Sequence, residues 1–335
     1  MIMTTFRVAV TLLLCASIPC LAWQPSPTSS SSSSSLKMSS MTTDDGNSIQ
    51  VTVVGGTGFV GSRVCQILTE QGVSVRSISK SGTVPKWCQD EEWTKSVVWS
   101  AIDLLEATPE ALDAAMGTTP DAVVSCVGVI GNDPDALTRG NGDANVAAFE
   151  SAKRMRATRA TFLSVSSEVV ACREDYLPDF MGAYFDGKEA AEAAASDAVG
   201  SAALTVIKPT FIYGGDSFGI NPPRVNTDYG SMVDQMLSFP PIQLVADVIP
   251  GIIKVALRPP VSVEAVAGAC AAAAMGKLAG TTVVDGTVAI NAVTNPPAST
   301  GLTDALVRDF TWGVDTAGKV ATWTGARLKE QAMKK

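Results

Sequence analysis

Tyr184 and Lys188 stand four residues apart in A-Y-F-D-G-K-E-A-A-E. On a helix that spacing puts both side chains on one face. A phenol has an ordinary pKa near ~10, too high for efficient proton transfer at neutral pH. A neighbouring ammonium favours the phenolate and lowers that value. Lysine can also hydrogen-bond a ribose. The pair is a candidate acid/base with its tuner, although Y-x-x-x-K also occurs as a plain surface pair. A second constellation lies upstream in V-T-V-V-G-G-T-G-F-V-G, Val51 to Gly61. Gly55, Gly58 and Gly61 fall three apart. Such glycines allow a tight turn, a close approach to phosphates and flush packing of a helix on a strand. The helix N-terminus adds free N–H groups and partial positive charge. Gly55, Gly56, Thr57, Gly58, Phe59, Val60 and Gly61 therefore form a candidate cradle for a dinucleotide diphosphate.

A glycine triplet alone also fits an ordinary strand-to-helix turn. Here an apolar run (Ile49, Val51, Val53, Val54) precedes it, helical spacing follows over Phe59–Gln71, and Val73–Ser77 reads as the next strand. That βαβ unit favours dinucleotide binding. The end of the second strand, V-R-S-I-S-K-S-G, bears on cofactor choice. NAD enzymes place an acid there for the ribose 2′-OH. Arg76, Ser79, Lys80 and Ser81 are present instead, and no acid follows until Asp90. Cations and hydroxyls suit a 2′-phosphate, so NADP(H) is favoured over NAD(H). Lys80 also fits a solvated loop.

Composition narrows the chemistry. The 335 residues include no histidine, which excludes Ser-His-Asp triads, Cys-His pairs and the HExxH zinc motif. Proton transfer must use Tyr, Lys, Asp, Glu, Cys or a cofactor. The seven cysteines form no CxxC pair, so no metal site is expected, and scattered thiols suit a reducing compartment. A formal charge of −8 argues against nucleic acid as a partner. The basic cluster Lys153, Arg154, Arg156 and Arg159 reads as a solvated helix end. The expected partner is a small-molecule substrate; the oligomeric state is not legible.

The elements that must position these residues alternate. After the first βαβ unit come a strand at Val97–Ser100, a helix at Pro109–Ala115, a strand at Ala122–Cys126 and a helix at Asp143–Arg156. A strand at Thr161–Val165, a helix at Gly182–Ala198 and a strand at Leu204–Lys208 follow. This predicts an α/β fold, a doubly wound parallel sheet of Rossmann type. From Tyr213 on, proline pairs interrupt the pattern, which reads as a small, mostly helical substrate cap. The very apolar Ile242–Leu257 is expected to be a buried helix pair; a lid facing a membrane or lipid is the alternative.

The expected organisation has five parts. Residues 1–22 read as a signal peptide, with Arg7, an apolar run from Val8 to Ala16 and Cys20-Leu21-Ala22. Residues 23–45 read as a Ser-rich transit segment opening with Trp23. Residues 48–212 form the dinucleotide domain, 213–300 the cap with returning sheet elements, and 301–335 a polar tail. The leader resembles the bipartite plastid leader of algae with secondary red plastids, although an aromatic Trp replaces the usual Phe. It implies a plastid stroma location with peripheral contact to membrane or lipid as an option. Secretion is the alternative, opposed by the free thiols and the absence of an N-x-S/T sequon.

In combination and order, these motifs resemble the short-chain dehydrogenase/reductase superfamily, extended or atypical branch (epimerase/dehydratase-like), over about Ser48 to Pro260. The residues that carry it are G-G-T-G-F-V-G, Asp103 in A-I-D-L-L, S-C-V-G (Ser125–Gly128), Asn141 and Asn145, Ser166-Ser167, Tyr184 with Lys188, and K-P-T-F-I-Y-G (Lys208–Gly214). Y-F-x-G-K and the late R-P-P-V-S-V look like plant plastid members of the atypical group. More distantly the chain is similar to mitochondrial proteins linked to ubiquinone synthesis and to a complex I accessory subunit. The resemblance implies that Asp103 meets adenine (or merely caps a helix), and that Ser125, Cys126, Val127 and Gly128 pass beside the adenosine ribose. It further implies that Ser166 or Ser167 polarises a carbonyl, Asn141 supports a proton relay or caps a helix, and Pro209, Thr210 and Phe211 flank a nicotinamide. Two functions fit. One is an NADP(H)-dependent oxidoreductase or epimerase acting on an apolar carbonyl or alcohol. The other is a non-catalytic, nucleotide-binding assembly or stability factor for a plastid membrane complex or quinone pathway.

Overall fold

The structure, a computed structural model, describes residues 48–215, 219–220 and 223–294. The leader segments 1–22 and 23–45 and the tail 301–335 lie outside the described residues.

The first strand, β1 (Gln50–Val54), is β-branched and buried from Val51 onward. Such a run, apolar on both faces, belongs inside a parallel sheet. It leads through the glycines into α1 (Phe59–Glu70) and β2 (Ser74–Ser79), and two 3-10 turns connect to β3 (Val97–Ala101). Thr108 then caps α2 (Pro109–Met116) by accepting from the Ala111 amide, and Pro109 starts its first turn. After β4 (Ala122–Ser125) come α3 (Pro134–Thr138), a π-helical turn at Arg139–Asp143, and α4 (Ala144–Arg154). β5 (Arg159–Leu163) precedes two single turns, α5 (Ser167–Val170) and α6 (Arg173–Tyr176), and the long α7 (Met181–Val199). β6 (Leu204–Lys208) and the short β7 (Ile212–Tyr213) follow.

The cap holds a small antiparallel pair, β8 (Gly219–Ile220) and β9 (Pro223–Arg224), then α8 (Thr227–Leu237), α9 (Pro240–Val248) and α10 (Ile252–Ala256). The chain returns through β10 (Val261–Ser262), α11 (Val263–Ala274), β11 (Val283–Asp285) and α12 (Gly286–Thr294).

Seven parallel strands form the main sheet in the order β11-β6-β5-β4-β1-β2-β3. This is the doubly wound α/β fold expected from the sequence. α1 and the alanine-rich α11 cover one face, where Val64, Leu68, Val266 and Cys270 are fully buried. α2, α4 and α7 cover the other, where Phe149 meets Phe162 edge-on at 5.8 Å. Strand order reverses between β1 and β4. Ligand crevices in open α/β sheets form at such a switch point, beyond the strand C-termini.

Three elements differ from expectation. The fifth strand begins two residues early and stops at Leu163, because Ser166 caps α5 while its amide bonds Pro209 O at 3.0 Å. The helix α4 is preceded by the π-helical turn rather than by a cap at Asn141. Ile242–Leu257 does form a helix pair, α9 and α10, but it is not buried. Within α9 only Ala246 is buried, while Leu244, Val245, Val248 and Ile253 are exposed. The pair packs on one side only, and among the described residues no second layer covers it. No described helix is long and apolar enough to cross a membrane.

Candidate active site

The glycine turn sits at the switch point. Gly55 has φ +81°, a left-handed conformation that favours glycine, and its amide donates to Ile78 O at 2.7 Å. A Cβ on Gly61 would lie 2.2 Å from Gly55 O, so the third glycine lets α1 press onto the turn. A Cβ on Gly56 would meet Ser77 Oγ at 2.3 Å. Gly58 occupies the N-cap of α1 with no side-chain cap, leaving the helix end open to a ligand's oxygens. Thr57 and Phe59 are half-buried beside it, and Val60 is buried.

Across the crevice runs Cys126-Val127-Gly128. The Cys126 amide donates to Val54 O, and a Cβ on Gly55 would touch Cys126 C and Val127 Cγ2, each at 3.2 Å. A buried polar network holds this segment. Ser125 Oγ donates to Asn145 Oδ1, and Asn145 Nδ2 donates to Asn141 O and Val127 O. Asn141 Nδ2 donates to Val129 O and Leu137 O, each at 2.9 Å, while its Oδ1 accepts from Val129 N. Asn141 thus spends its amide on backbone, inside a π-helical turn of the kind that clusters at functional sites.

Lys188 enters this network from α7. It is 5% exposed, and its Nζ donates to Val127 O at 3.1 Å and Leu163 O at 3.0 Å, bridging the ends of β4 and β5. Burial pulls its pKa down to about 8. A Cβ on Gly128 would lie 3.3 Å from both Lys188 Nζ and Asn141 Oδ1. Two glycines make this convergence possible. Gly187 of α7 and Gly142 of the π-turn touch backbone to backbone, and a Cβ on Gly187 would be 2.8 Å from Gly142 N. In the sequence Gly187 is read only as part of Y-F-x-G-K, and Gly142 is passed over.

Tyr184 lies one turn before Lys188, half-buried and edge-on to Phe185. Burial pushes its phenol up to about 12, opposite to the tuning expected from a neighbouring ammonium. Lys188 spends its hydrogen bonds on the two carbonyls instead. Of the two adjacent serines, Ser166 is buried as the cap of α5, accepting from Glu168 N, and Ser167 is exposed. The Ser167 amide donates to the Asp285 carboxylate, from the end of β11. Pro209 is buried beside Ser166; Thr210 Oγ1 donates to Pro259 O, and Phe211 is exposed.

At the adenosine end, Lys80 pairs with Asp103 at 2.8 Å. This pairing lowers the Asp103 pKa and raises that of Lys80. Asp103 also accepts from the Leu105 amide, closing a turn rather than capping a helix. Ser79 Oγ accepts from Gly82 N. Arg76 is not brought to this group. It sits in the middle of β2, beside Thr52 and Val98, with Gly117 against its guanidinium.

In a further set, Arg258 is read in the sequence only as the start of R-P-P-V-S-V, and its partners go unread. Arg258 binds the Glu168 carboxylate with two hydrogen bonds, at 2.8 and 2.7 Å, and also pairs with Asp247 and Gln243. Lys254 pairs with Glu168 as well. The cap is therefore latched to the turn that starts at Ser166. Ninety residues separate Arg258 from Glu168, so no local signal links them.

Residues 51–185 match the model of the NAD dependent epimerase/dehydratase family. The uncharacterized chloroplastic protein At1g32220 of Arabidopsis thaliana is 35% identical over 173 residues, covering 51% of this chain and 53% of that protein. MIOREX complex component 2 of Saccharomyces cerevisiae is 37% identical over 59 residues, 17% of this chain and 21% of that one. The chain thus spans about half the length of the first relative and less of the second. Among solved structures, the Bordetella bronchiseptica enzyme WbmF in complex with NAD+ has a TM-score of 0.46 and 19% identity, covering 71% of this chain and 73% of that one. UDP-N-acetylglucosamine 4-epimerase from Bacillus cereus has a TM-score of 0.45 and 14% identity, covering 71% of this chain and 77% of that one. The family match spans the glycine turn, the Asn141 network and Tyr184.

Proposed function

We propose that the protein is an NAD(P)(H)-dependent oxidoreductase or epimerase of the short-chain dehydrogenase/reductase type, acting in a plastid on an apolar carbonyl or alcohol. The observation that carries this reading is the convergence of the glycine turn, Gly128 and the buried Lys188 on the Cys126–Gly128 segment at the switch point. The residues fit a dinucleotide: Gly55 turns the chain at positive φ, Gly61 lets α1 close onto that turn, and the N-terminus of α1 carries no side-chain cap where phosphate oxygens would bind. A bound nicotinamide would supply the hydride donor or acceptor.

Within that arrangement Lys188 would hold the nicotinamide ribose, and Tyr184 would pass a proton to or from the substrate oxygen. Ser166 or Ser167 steadies that oxygen. NADP(H) is favoured over NAD(H), because Ser79, Lys80 and Ser81 offer a cation and hydroxyls where an acid would suit the ribose diol. The plastid assignment rests on the leader pattern and on the chloroplastic relative. The test is turnover of NADPH with apolar ketones, and of NADP+ with the matching alcohols. Tyr184→Phe should cut the rate by about 10²–10⁴-fold. Full turnover in that variant would contradict the acid/base assignment.

One observation favours a second reading, a non-catalytic assembly factor that keeps the nucleotide site. Tyr184 is desolvated and held neutral, its phenol pushed up to about 12. The yeast relative is named as a component of a complex. Under this reading Tyr184→Phe leaves complex assembly intact, and no ketone is turned over by either protein.

A further inference from the structure

We propose that the cap carries a dedicated slot for the hydrocarbon part of the substrate, and that the ligand is a neutral amphiphile rather than a nucleotide-linked one. This deepens the oxidoreductase reading and rests on it. Two cavities share Arg258 in their walls. The first, about 350 Å3, is polar and includes Ser166, Thr210, Asp285 and Thr287 in its wall. The second, about 240 Å3, is lined by Phe211, Tyr213, Tyr229, Val233, Leu237 and Val255. Consecutive residues divide between them: Thr210 and Pro259 line the polar cavity, Phe211 and Pro260 the apolar one, and Arg258 borders both. The apolar cavity thus adjoins the polar one across Arg258 and the Thr210–Phe211 and Pro259–Pro260 steps.

The slot is a built feature. A Cβ on Gly230 would lie 2.3 Å from the Tyr213 ring, so glycine brings α8 close against β7. The Tyr213 hydroxyl donates to Asp234 Oδ2 at 3.3 Å, and burial with Asp234 nearby pushes its phenol up to about 12, keeping it neutral. The slot is smaller than the roughly 300–1,000 Å3 of a whole drug-sized ligand site, so it holds one ring or a short chain.

Charge decides against a diphosphate. Among the described residues Arg258 is the one cation lining either cavity; Glu168 and Asp247 pair with it, and Glu168 is shared with Lys254 outside the cavities. Asp285 adds a further carboxylate to the polar wall. A phosphorylated ligand would meet negative charge and a spent guanidinium. An alcohol or ketone with a hydrocarbon body carries no such penalty.

The test is calorimetric titration of the folded protein with 1-octanol and, separately, with UDP-glucose. Saturable octanol binding, weakened at least tenfold in Val255→Trp, supports the slot. Leu237→Ala enlarges it and should shift preference toward 1-decanol, a check that stands if the tryptophan variant does not fold. Octanol binding that is absent, or unchanged in Val255→Trp, overturns the proposal, as does UDP-glucose binding without octanol binding. NADPH is titrated in parallel. NADPH binding without octanol binding removes the slot alone; octanol binding without NADPH binding leaves the slot as a ligand site and removes the oxidoreductase reading.

Discussion

Gly187 and Gly142 are in backbone contact: a Cβ on Gly187 would stand 2.8 Å from the Gly142 nitrogen and 3.2 Å from Asn141 C. That contact sets how deeply α7 seats against the π-turn, and Lys188, the next residue, inherits its position from it. Gly187→Ala should cost about 1–3 kcal/mol through overpacking, read by urea unfolding. It should also weaken dinucleotide binding at least tenfold by moving Lys188. A stable variant with unchanged binding would show that the crossing does not position the lysine.

Lys188 predicts a pH signature in stability. Its pKa falls from an ordinary ~10.4 to about 8 in the folded state. The folded protein thus binds this proton less tightly than the unfolded chain. The resulting destabilisation is fully present below about pH 8 and is relieved as pH rises from there toward ~10.4. The Tm of the native protein should therefore gain on that of Lys188→Met between pH 7 and pH 10. A constant difference across that range would place the amine in water.

The latch between Arg258 and Glu168 predicts the opposite limb. Pairing with Arg258 holds the Glu168 carboxyl below its usual value. Its contribution is present above the unfolded pKa of ~4.3 and is lost as pH falls through the lower folded value. Both groups are partly exposed, so Arg258→Met should cost about 1–2 kcal/mol at pH 7, between an exposed pair and a buried one. Denaturation at pH 7 and at pH 3 should show the two proteins converging in acid. An equal gap at both pH values would rule out the ion pair as the cause.

Cofactor choice turns on Lys80, whose ammonium sits 2.8 Å from Asp103. Lys80→Ala should weaken NADPH binding about tenfold, the size of one charge-assisted contact, and leave NADH binding nearly unchanged. Equal losses for both cofactors would mean that Lys80 does not read the 2′-phosphate.

Local rules carried much of the fold. Val51–Val54 and Leu204–Lys208 are β-branched runs buried in a parallel sheet, and the glycine turn announces itself because Gly55 needs positive φ. Lys188, Asn141 and Gly128 were each legible and do converge. Contacts between distant residues were not. The Gly142–Gly187 crossing and the Arg258–Glu168 pair need the tertiary fold to be seen at all. β11 is three residues long, too short for its alternation to show. Arg76 reads as a strand-end cation only when the strand's length is unknown; β2 runs three residues further, to Ser79. Ile242–Leu257 looked buried because hydropathy registers composition, not whether a second layer exists to cover it.

Titration of the purified protein with NADPH, NADH, NADP+ and NAD+, followed by calorimetry and thermal shift, tests the central claim most directly. The account predicts saturable binding, tighter for the phosphorylated forms, with stability raised by roughly 2.7 kcal/mol at a hundredfold excess over Kd, and with binding lost in Lys188→Met. No heat and no shift with any of the four would contradict it and leave the glycine turn a purely structural element.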